Sequence, residues 1–358
     1  MKPQSYLITW LAPMTAVAGF LHGGLWTYGT LFLAFGIIPA LELLTPIIKG
    51  TAGNLTETQE KTAEENRLYD YFVYAFVPIQ FGVVFMMLYT IQTTNPAMYE
   101  IVGMVISTGI CCGAIGINVA HELGHRRKGY ERTMAKSLLL TSLYMHWFVE
   151  HNKGHHARVA TKEDPASSRF GENVYAFMLR SIVGGYISSW KIEARRLRNL
   201  GKSPLNLSNS VLRYHIIQGL FLAGVYFAFG PVPTMAFTAA AVIGFCLLEL
   251  VNYIEHYGLS RDWNGRRYEK VLPIHSWNSN HTVGRMFLFN LSRHSDHHAN
   301  AARPYQILRH FDASPQMPTG YPGMMILSLF PPAWFMVMNP RVAHYREIVT
   351  EAREAFAA

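Results

Sequence analysis

Lysine and arginine are absent from three long stretches of the chain, residues 3–48, 68–125 and 214–260. The stretches are 46, 58 and 47 residues long, and one apolar helix needs about 20 residues to cross a bilayer. Each stretch therefore fits two spans joined by a short turn. The turns read LHGGLW (21–26), QTTNPAM (92–98) and FGPVPT (229–234), and none carries a charged residue. Their Gly, Pro and Asn are the residues that reverse a chain. The pattern predicts an all-α membrane protein with six transmembrane helices in three hairpins. The approximate spans are 6–21, 25–48, 69–91, 98–121, 212–229 and 234–256, within a single integral-membrane domain 1–358.

Two further apolar runs are too short to cross. SLLLTSLYMHWFV (137–149) has 13 residues, and GMMILSLFPPAWFMVM (323–338) has 16 with Pro331-Pro332 inside it. Both read as interfacial or buried parts of a helical cap. That cap is built from segments 122–211 and 257–358. All 31 Lys and Arg lie outside the three stretches, and positive charge stays on the cytoplasmic side. Both termini and the cap are thus expected at the cytoplasmic face of a bacterial-type inner membrane. No cleavable signal peptide is expected, because the N-terminus runs straight into the first span.

Composition agrees: 50% of residues are hydrophobic and only 15% charged, against about 25% charged in soluble domains. The three cysteines, Cys111, Cys112 and Cys246, all fall inside predicted spans and form no C-x-x-C pair. That excludes a zinc ribbon, a rubredoxin-type iron site and a disulfide framework in this chain. Six of the 23 acids lie in the Lys/Arg-free stretches, which leaves 17 acids against 31 bases elsewhere. Topology and attraction to anionic membrane lipid account for part of this excess, so no nucleic-acid partner is expected. The basic run KIEARRLRNLGK (191–202) is a helix-like candidate for meeting a small acidic protein.

Nine of the 16 histidines gather in four clusters: HELGH (His121, His125), EHNKGHH (His151, His155, His156), NYIEHYG (His256) and RHSDHH (His294, His297, His298). Two clusters end predicted spans and two lie in the cap, so all can meet at one depth at the membrane edge. At 3.6 residues per turn, His121 and His125 share a helix face, as do His151 and His155, and His294 with His297 or His298. Neighbours such as His155 and His156 point about 100° apart, which suits two metals flanking the pair better than one metal taking both. Imidazole suits Zn, Cu, Fe and Ni rather than Mg or Ca. Zinc closes at four ligands, and four or five ligands per metal with room for another fits iron better.

Rival classes exist. HELGH alone matches the zinc metallopeptidase pattern, with Glu122 as general base, but leaves most clustered histidines idle. A metal transporter would place polar groups near the bilayer midplane, where this chain is apolar. The isolated His22, His215, His310, His344 and His146 read as hydrogen-bonded structural residues. His275 and His281 in HSWNSNH, with Asn278 and Asn280, are candidates for supporting the ligands or gating substrate.

Taken together, HELGH, HNKGHH and HSDHH match the three histidine boxes of the membrane fatty-acid desaturase–hydroxylase superfamily. EHNKGHH, NYIEHYGL, HSWNSNH, RHSDHHA and PTGYP (318–322) resemble its alkane 1-monooxygenase branch. Arg126 stands where that branch usually has Lys, and Ser292 where Gln is common; neither is a ligand. The resemblance implies that His121, His125, His151, His155, His156, His256, His294, His297 and His298 bind two iron ions. It implies O2 as co-substrate and terminal hydroxylation of medium-to-long-chain alkanes to primary alcohols, with alkyl-aromatic methyl groups as the alternative substrate. The chain has no flavin or iron–sulfur motif, so electrons must come from a partner, by resemblance a rubredoxin-type carrier with its NAD(P)H reductase. Carboxylates next to the ligands, Glu122, Glu150, Asp164, Glu255 and Asp296, are expected to hydrogen-bond and orient the imidazoles. The segments near 31–40 and 109–116 are candidates for lining a substrate tunnel.

Overall fold

The computed structural model describes residues 1–44 and 53–357. Among these the protein is helical, with isolated bridges such as Trp263 to Tyr268 in place of strands. Five helices among the described residues are long and apolar enough to cross a membrane: Gly24–Leu44, Leu68–Thr94, Met98–His125, Ser210–Phe229 and Pro231–His256. The second expected span reached residue 48, and 45–48 lie outside the described residues. The first expected span is built differently from the rest. A 3₁₀ segment, Pro3–Trp10, runs into a 12-residue helix, Leu11–His22. Large apolar side chains point outward from the bundle, with Leu25 79%, Leu220 68% and Phe227 85% exposed. Contiguous apolar surface of this kind is costly in water and neutral in lipid.

We label the helices that carry the site: α1 (Leu11–His22), α2 (Gly24–Leu44), α3 (Leu68–Thr94), α4 (Met98–His125), α5 (147–158), α6 (Val174–Asn199), α7 (Ser210–Phe229), α8 (Pro231–His256) and α9 (His294–Ala299). The hairpin turns follow local chemistry. Gly23, Asn95 and Gly230 adopt φ of 67°, 48° and 80°, a region open to Gly and tolerated by Asn. Glu100 in the first turn of α4 accepts from its own cap residue, Ala97 N, at 2.7 Å and from Gly24 N. One carboxylate thus pins two turns together at the bundle end away from the histidines. Asn173 caps α6 and Asn209 caps α7 through backbone amides.

The centre of the bundle is α4 against α8. A Cβ on Gly113 would lie 2.6 Å from the Gly244 carbonyl oxygen, and one on Gly109 2.6 Å from Ile243 Cβ. Only glycine permits this approach, which supplies van der Waals contact where lipid offers no hydrophobic drive. Among the described residues three helices contain π-helical turns, at Leu33–Ile37, Cys111–Ile117 and His151–His155. Such turns hold an extra residue and occur mostly at functional sites. The end of α4, the end of α8, α5 and α9 converge at one end of the bundle, where the histidines lie.

Candidate metal centre

The nine predicted histidines all come together, in two adjacent groups. In the first, ligand atoms of His121, His125, His151, His156 and His297 lie within 4.8 Å of one another. The Nε2 of His297 is 2.7 Å from that of His121, and the Nε2 of His156 is 3.0 Å from that of His151. The second group holds His155, His256 and His298, and overlapping it Glu255, His256 and His294. The Nε2 atoms of His155 and His298 are 3.2 Å apart. The rings of His156 and His298, one from each group, stack at 4.5 Å.

The adjacent pairs His155/His156 and His297/His298 are each split between the groups, as residues about 100° apart on a helix require. One detail differs from the sequence reading. His151 was expected to share a face with His155, four residues on. The π turn at His151–His155 shifts the partner by one residue, so His151 meets His156 instead. In α9, His294 and His298 keep the ordinary i, i+4 relation, with rings 4.4 Å apart.

These donor sets fit a metal pair. Buried nitrogens without a hydrogen-bond partner include His256 Nε2 and His294 Nε2. An orphaned buried polar atom costs roughly 1–3 kcal/mol, and a cation removes that cost for both at once. Burial, together with neighbouring imidazoles, holds His151, His156, His294, His297 and His298 well below the usual imidazole pKa. They are therefore neutral, the form that binds metal.

The five expected carboxylates divide. Asp164 Oδ2 accepts from His155 Nδ1 at 2.9 Å and from Ser167 Oγ at 2.6 Å. Burial works to raise its pKa, but the interaction with His155 and these hydrogen bonds outweigh it, so the carboxyl stays below its usual range. Glu255 goes further than expected. Its Oε2 lies 3.1 Å from His294 Nε2, close but not aligned as a hydrogen bond, and its Oε1 accepts from Tyr321 OH at 2.7 Å. That puts the carboxylate among the candidate ligand atoms themselves, and Tyr321 holds it there.

Glu122, Glu150 and Asp296 bind arginines rather than imidazoles. Glu122 pairs with Arg126 at 2.7 Å, Glu150 with Arg158 at 2.8 Å, and Asp296 with Arg309 at 2.9 Å. They clasp the ligand-bearing helices from outside. Burial pushes Glu150 up to about 7 against the pull of Arg158 and Ser188. The placement of Glu122 also removes the general base that a peptidase reading of HELGH requires.

His275, Asn278, Asn280 and His281 fasten a loop and do not line the cavity described below. Ser295 Oγ donates to Asn278 Oδ1 at 3.0 Å, and Arg293 Nε to Asn280 Oδ1 at 3.0 Å, tying the loop to α9. His275 Nε2 is 3.1 Å from Glu269, and His281 Nδ1 is 3.0 Å from Ser279 Oγ.

An apolar cavity of about 120 Å³ ends on the histidines. His121, His151 and His294 form its floor with Trp147, whose indole stacks on His151 at 4.2 Å. Its walls come from α1, α2, α4 and α8, with Leu33, Phe35, Ile110, Ala114 and Leu247 among them. Both tunnel segments named from sequence contribute. Sequence reasoning missed Trp147, Asn252 and Tyr321; Tyr321 belongs to the PTGYP motif, whereas Trp147 and Asn252 carry no pattern of their own.

The geometry defines a helical protein with candidate membrane spans and a histidine-rich site suited to metal. The sequence profile described as fatty acid desaturase matches residues 97–328. The chain is 39% identical to alkane 1-monooxygenase 2 of Pseudomonas aeruginosa, covering 89% of this chain and 85% of that protein. It is 38% identical to alkane 1-monooxygenase 1 of Alcanivorax borkumensis, over 96% and 86%. The hydroxylase component of the xylene/toluene monooxygenase of Pseudomonas putida is 27% identical over 96% and 89%. This chain belongs to the alkane monooxygenase family, within the membrane desaturase superfamily, and is a monooxygenase.

Proposed function

We propose that the protein hydroxylates the terminal methyl group of alkanes at a di-iron centre held by the nine histidines. The observation that carries the reading is the apolar cavity that ends on His121, His151 and His294, three members of the five-plus-four histidine set. Iron, when bound, supplies the activation of O2 and the oxidation of the C–H bond. The protein's part is position and exclusion of water. Internal C–H bonds are weaker than methyl C–H bonds, so selectivity for the end must come from shape. Walls such as Leu33, Ile110 and Leu247 admit a chain end-on and keep its methyl nearest His121, His151 and His294. Trp147 and Glu255 fix the imidazole planes around that end.

Topology is part of this reading. A 3₁₀ segment of 8 residues followed by 12 α-helical ones rises roughly 34 Å, enough for a sixth span. The histidine end then faces the cytoplasm by the positive-inside rule. There Arg158, Lys162, Arg169, Arg180, Lys191 and Arg195 line a surface groove that also contains Asp164. Asp164 is one hydrogen bond from His155. An acidic one-electron carrier of the rubredoxin type, docked on this groove, would stand close to the centre, and Lys191 and Arg195 belong to the basic run noted in the sequence.

Metal analysis tests the proposal: purified protein should hold about two irons per chain, and His155→Ala and His156→Ala, which disturb different groups, should each lower iron content and abolish turnover. One zinc per chain, or full turnover in either variant, would sink it. Graded alkanes offered beside alkyl-aromatics, with a rubredoxin and its reductase, assign the substrate class.

A further inference from the structure

Glu249 lies within α8, two turns before His256, and the reading above does not use it. An ionisable side chain inside a membrane helix is costly and marks function, often proton movement. Glu249 is 2% exposed. Its hydrogen-bond partners are neutral: Tyr144 OH donates to Oε1 at 3.1 Å, Asn252 Nδ2 donates to Oε2 at 3.2 Å, and the Ser181 hydroxyl also bonds it.

Beside it is a small cell of about 10 Å³, the room one water molecule needs when polar groups surround it. Tyr144, Ser181, Glu249 and Asn252 line the cell together with His151 and His155. Trp147, His151 and Asn252 line both this cell and the apolar cavity. Glu150 closes the cell outward, where Ser188 Oγ donates to it at 2.8 Å, and Ser188 faces the basic surface groove. A polar path thus runs from the groove to the floor of the cavity, on the side away from substrate.

Such a path is needed. Hydroxylation consumes RH, O2, two electrons and two protons, and yields ROH and H2O. The electrons come from the one-electron carrier protein. Most of the substrate cavity's wall is apolar, Leu33, Phe35, Ile110, Ala114 and Leu247 among it, and gives protons no continuous route. We propose that Glu249 is the internal proton relay of the centre, delivering through one water in the adjoining cell. The O–H bond of its carboxyl breaks as an O–H bond forms on the oxygen atom that leaves as water. The carboxylate regains a proton from bulk water on the groove side, and the second proton follows by the same route. This rests on the oxygenase reading. Glu249 touches neither substrate nor metal ligand and acts through the water that Tyr144 and Asn252 help to hold.

The test uses full-length, iron-loaded protein in lipid, with alkane, O2 and a rubredoxin as donor. Glu249→Gln should keep its iron and its KM for alkane, lose about 10²-fold in turnover, and divert O2 to hydrogen peroxide. Its solvent deuterium isotope effect should rise, and Glu249→Asp should regain part of the rate. Infrared spectra of the metal-free proteins give an independent reading: wild type should show a buried protonated carboxyl band that Glu249→Gln lacks. A Glu249→Gln enzyme with wild-type rate and coupling overturns the relay, as does the absence of that band difference. Should Glu249→Gln fail to load iron, Glu249→Asp decides: a slow, peroxide-releasing enzyme with full iron supports the relay, and an unchanged one overturns it. A wild-type protein that makes no alcohol overturns the oxygenase reading instead, a separate outcome.

Discussion

The Nδ1–H of His155 points at Asp164, which fixes the tautomer and leaves Nε2 for a metal. Partners of this kind are typically worth 10- to 100-fold in metal affinity. Asp164→Asn keeps the shape and removes the charge. We expect it to release iron from the His155 group about 10-fold more readily to a competing chelator, and a wild-type release profile would refute that. Asp164 was legible as a carboxylate soon after a histidine box; its sequence neighbours Glu122 and Glu150 were not distinguishable from it, because the arginines that claim them lie four and eight residues away on their helices. Glu193 makes a second residue-scale prediction. Burial would raise its pKa, but Arg196, the Ser210 amide and Lys153 bring it down to about 2. A depressed carboxylate stabilises the fold above its unfolded pKa, and that contribution fades as pH falls toward the folded value. Glu193→Gln should therefore lower stability by about 1–3 kcal/mol near pH 7. The gap to wild type should close between about pH 4.5 and 2, read by thermal unfolding in detergent; a gap independent of pH would refute the assignment.

At the scale of elements the π turn in α5 matters most. Periodicity of 3.6 paired His151 with His155, and the extra residue of the π turn paired it with His156. No composition rule marks such a turn, so the box was readable and its wiring was not. Gly154 sits inside the turn, and a Cβ there would collide with Glu150 Oε2 and come within 2.5 Å of Arg158 Nη2. Gly154→Ala should break the Glu150–Arg158 pair, tilt the turn and reduce bound iron without emptying the membrane of protein. Normal iron content in that variant would show that the turn tolerates the methyl group. The caps and hairpin turns were plainer, because Gly23, Asn95 and Gly230 advertise φ values that few other residues accept.

For the whole molecule, the distribution of lysine and arginine exposed five apolar helices and their hairpin order, since charge is excluded from lipid regardless of packing detail. The first segment departs because its initial 8 residues wind as 3₁₀ helix, which hydropathy cannot distinguish from α. Cavity walls were legible only as Gly- and Ala-containing segments; which side chains face inward depends on the π turns at Leu33–Ile37 and Cys111–Ile117. Ile110, 11 residues before His121 on α4, lines the cavity roughly 16 Å from it along the helix. Ile110→Phe should shorten the alkanes accepted, measured as a shift in the product profile toward shorter alcohols, whereas an unchanged profile would place the limit elsewhere.

The walls of that cavity include Ala34 and Phe35, both only partly buried. On the proposed reading, hydrocarbon dissolved among acyl chains is the reservoir from which the enzyme draws. Its saturation then depends on mole fraction in the bilayer, and diluting the same vesicles with buffer at constant carrier concentration should leave the rate per enzyme untouched while diluting the alkane with extra phospholipid slows it.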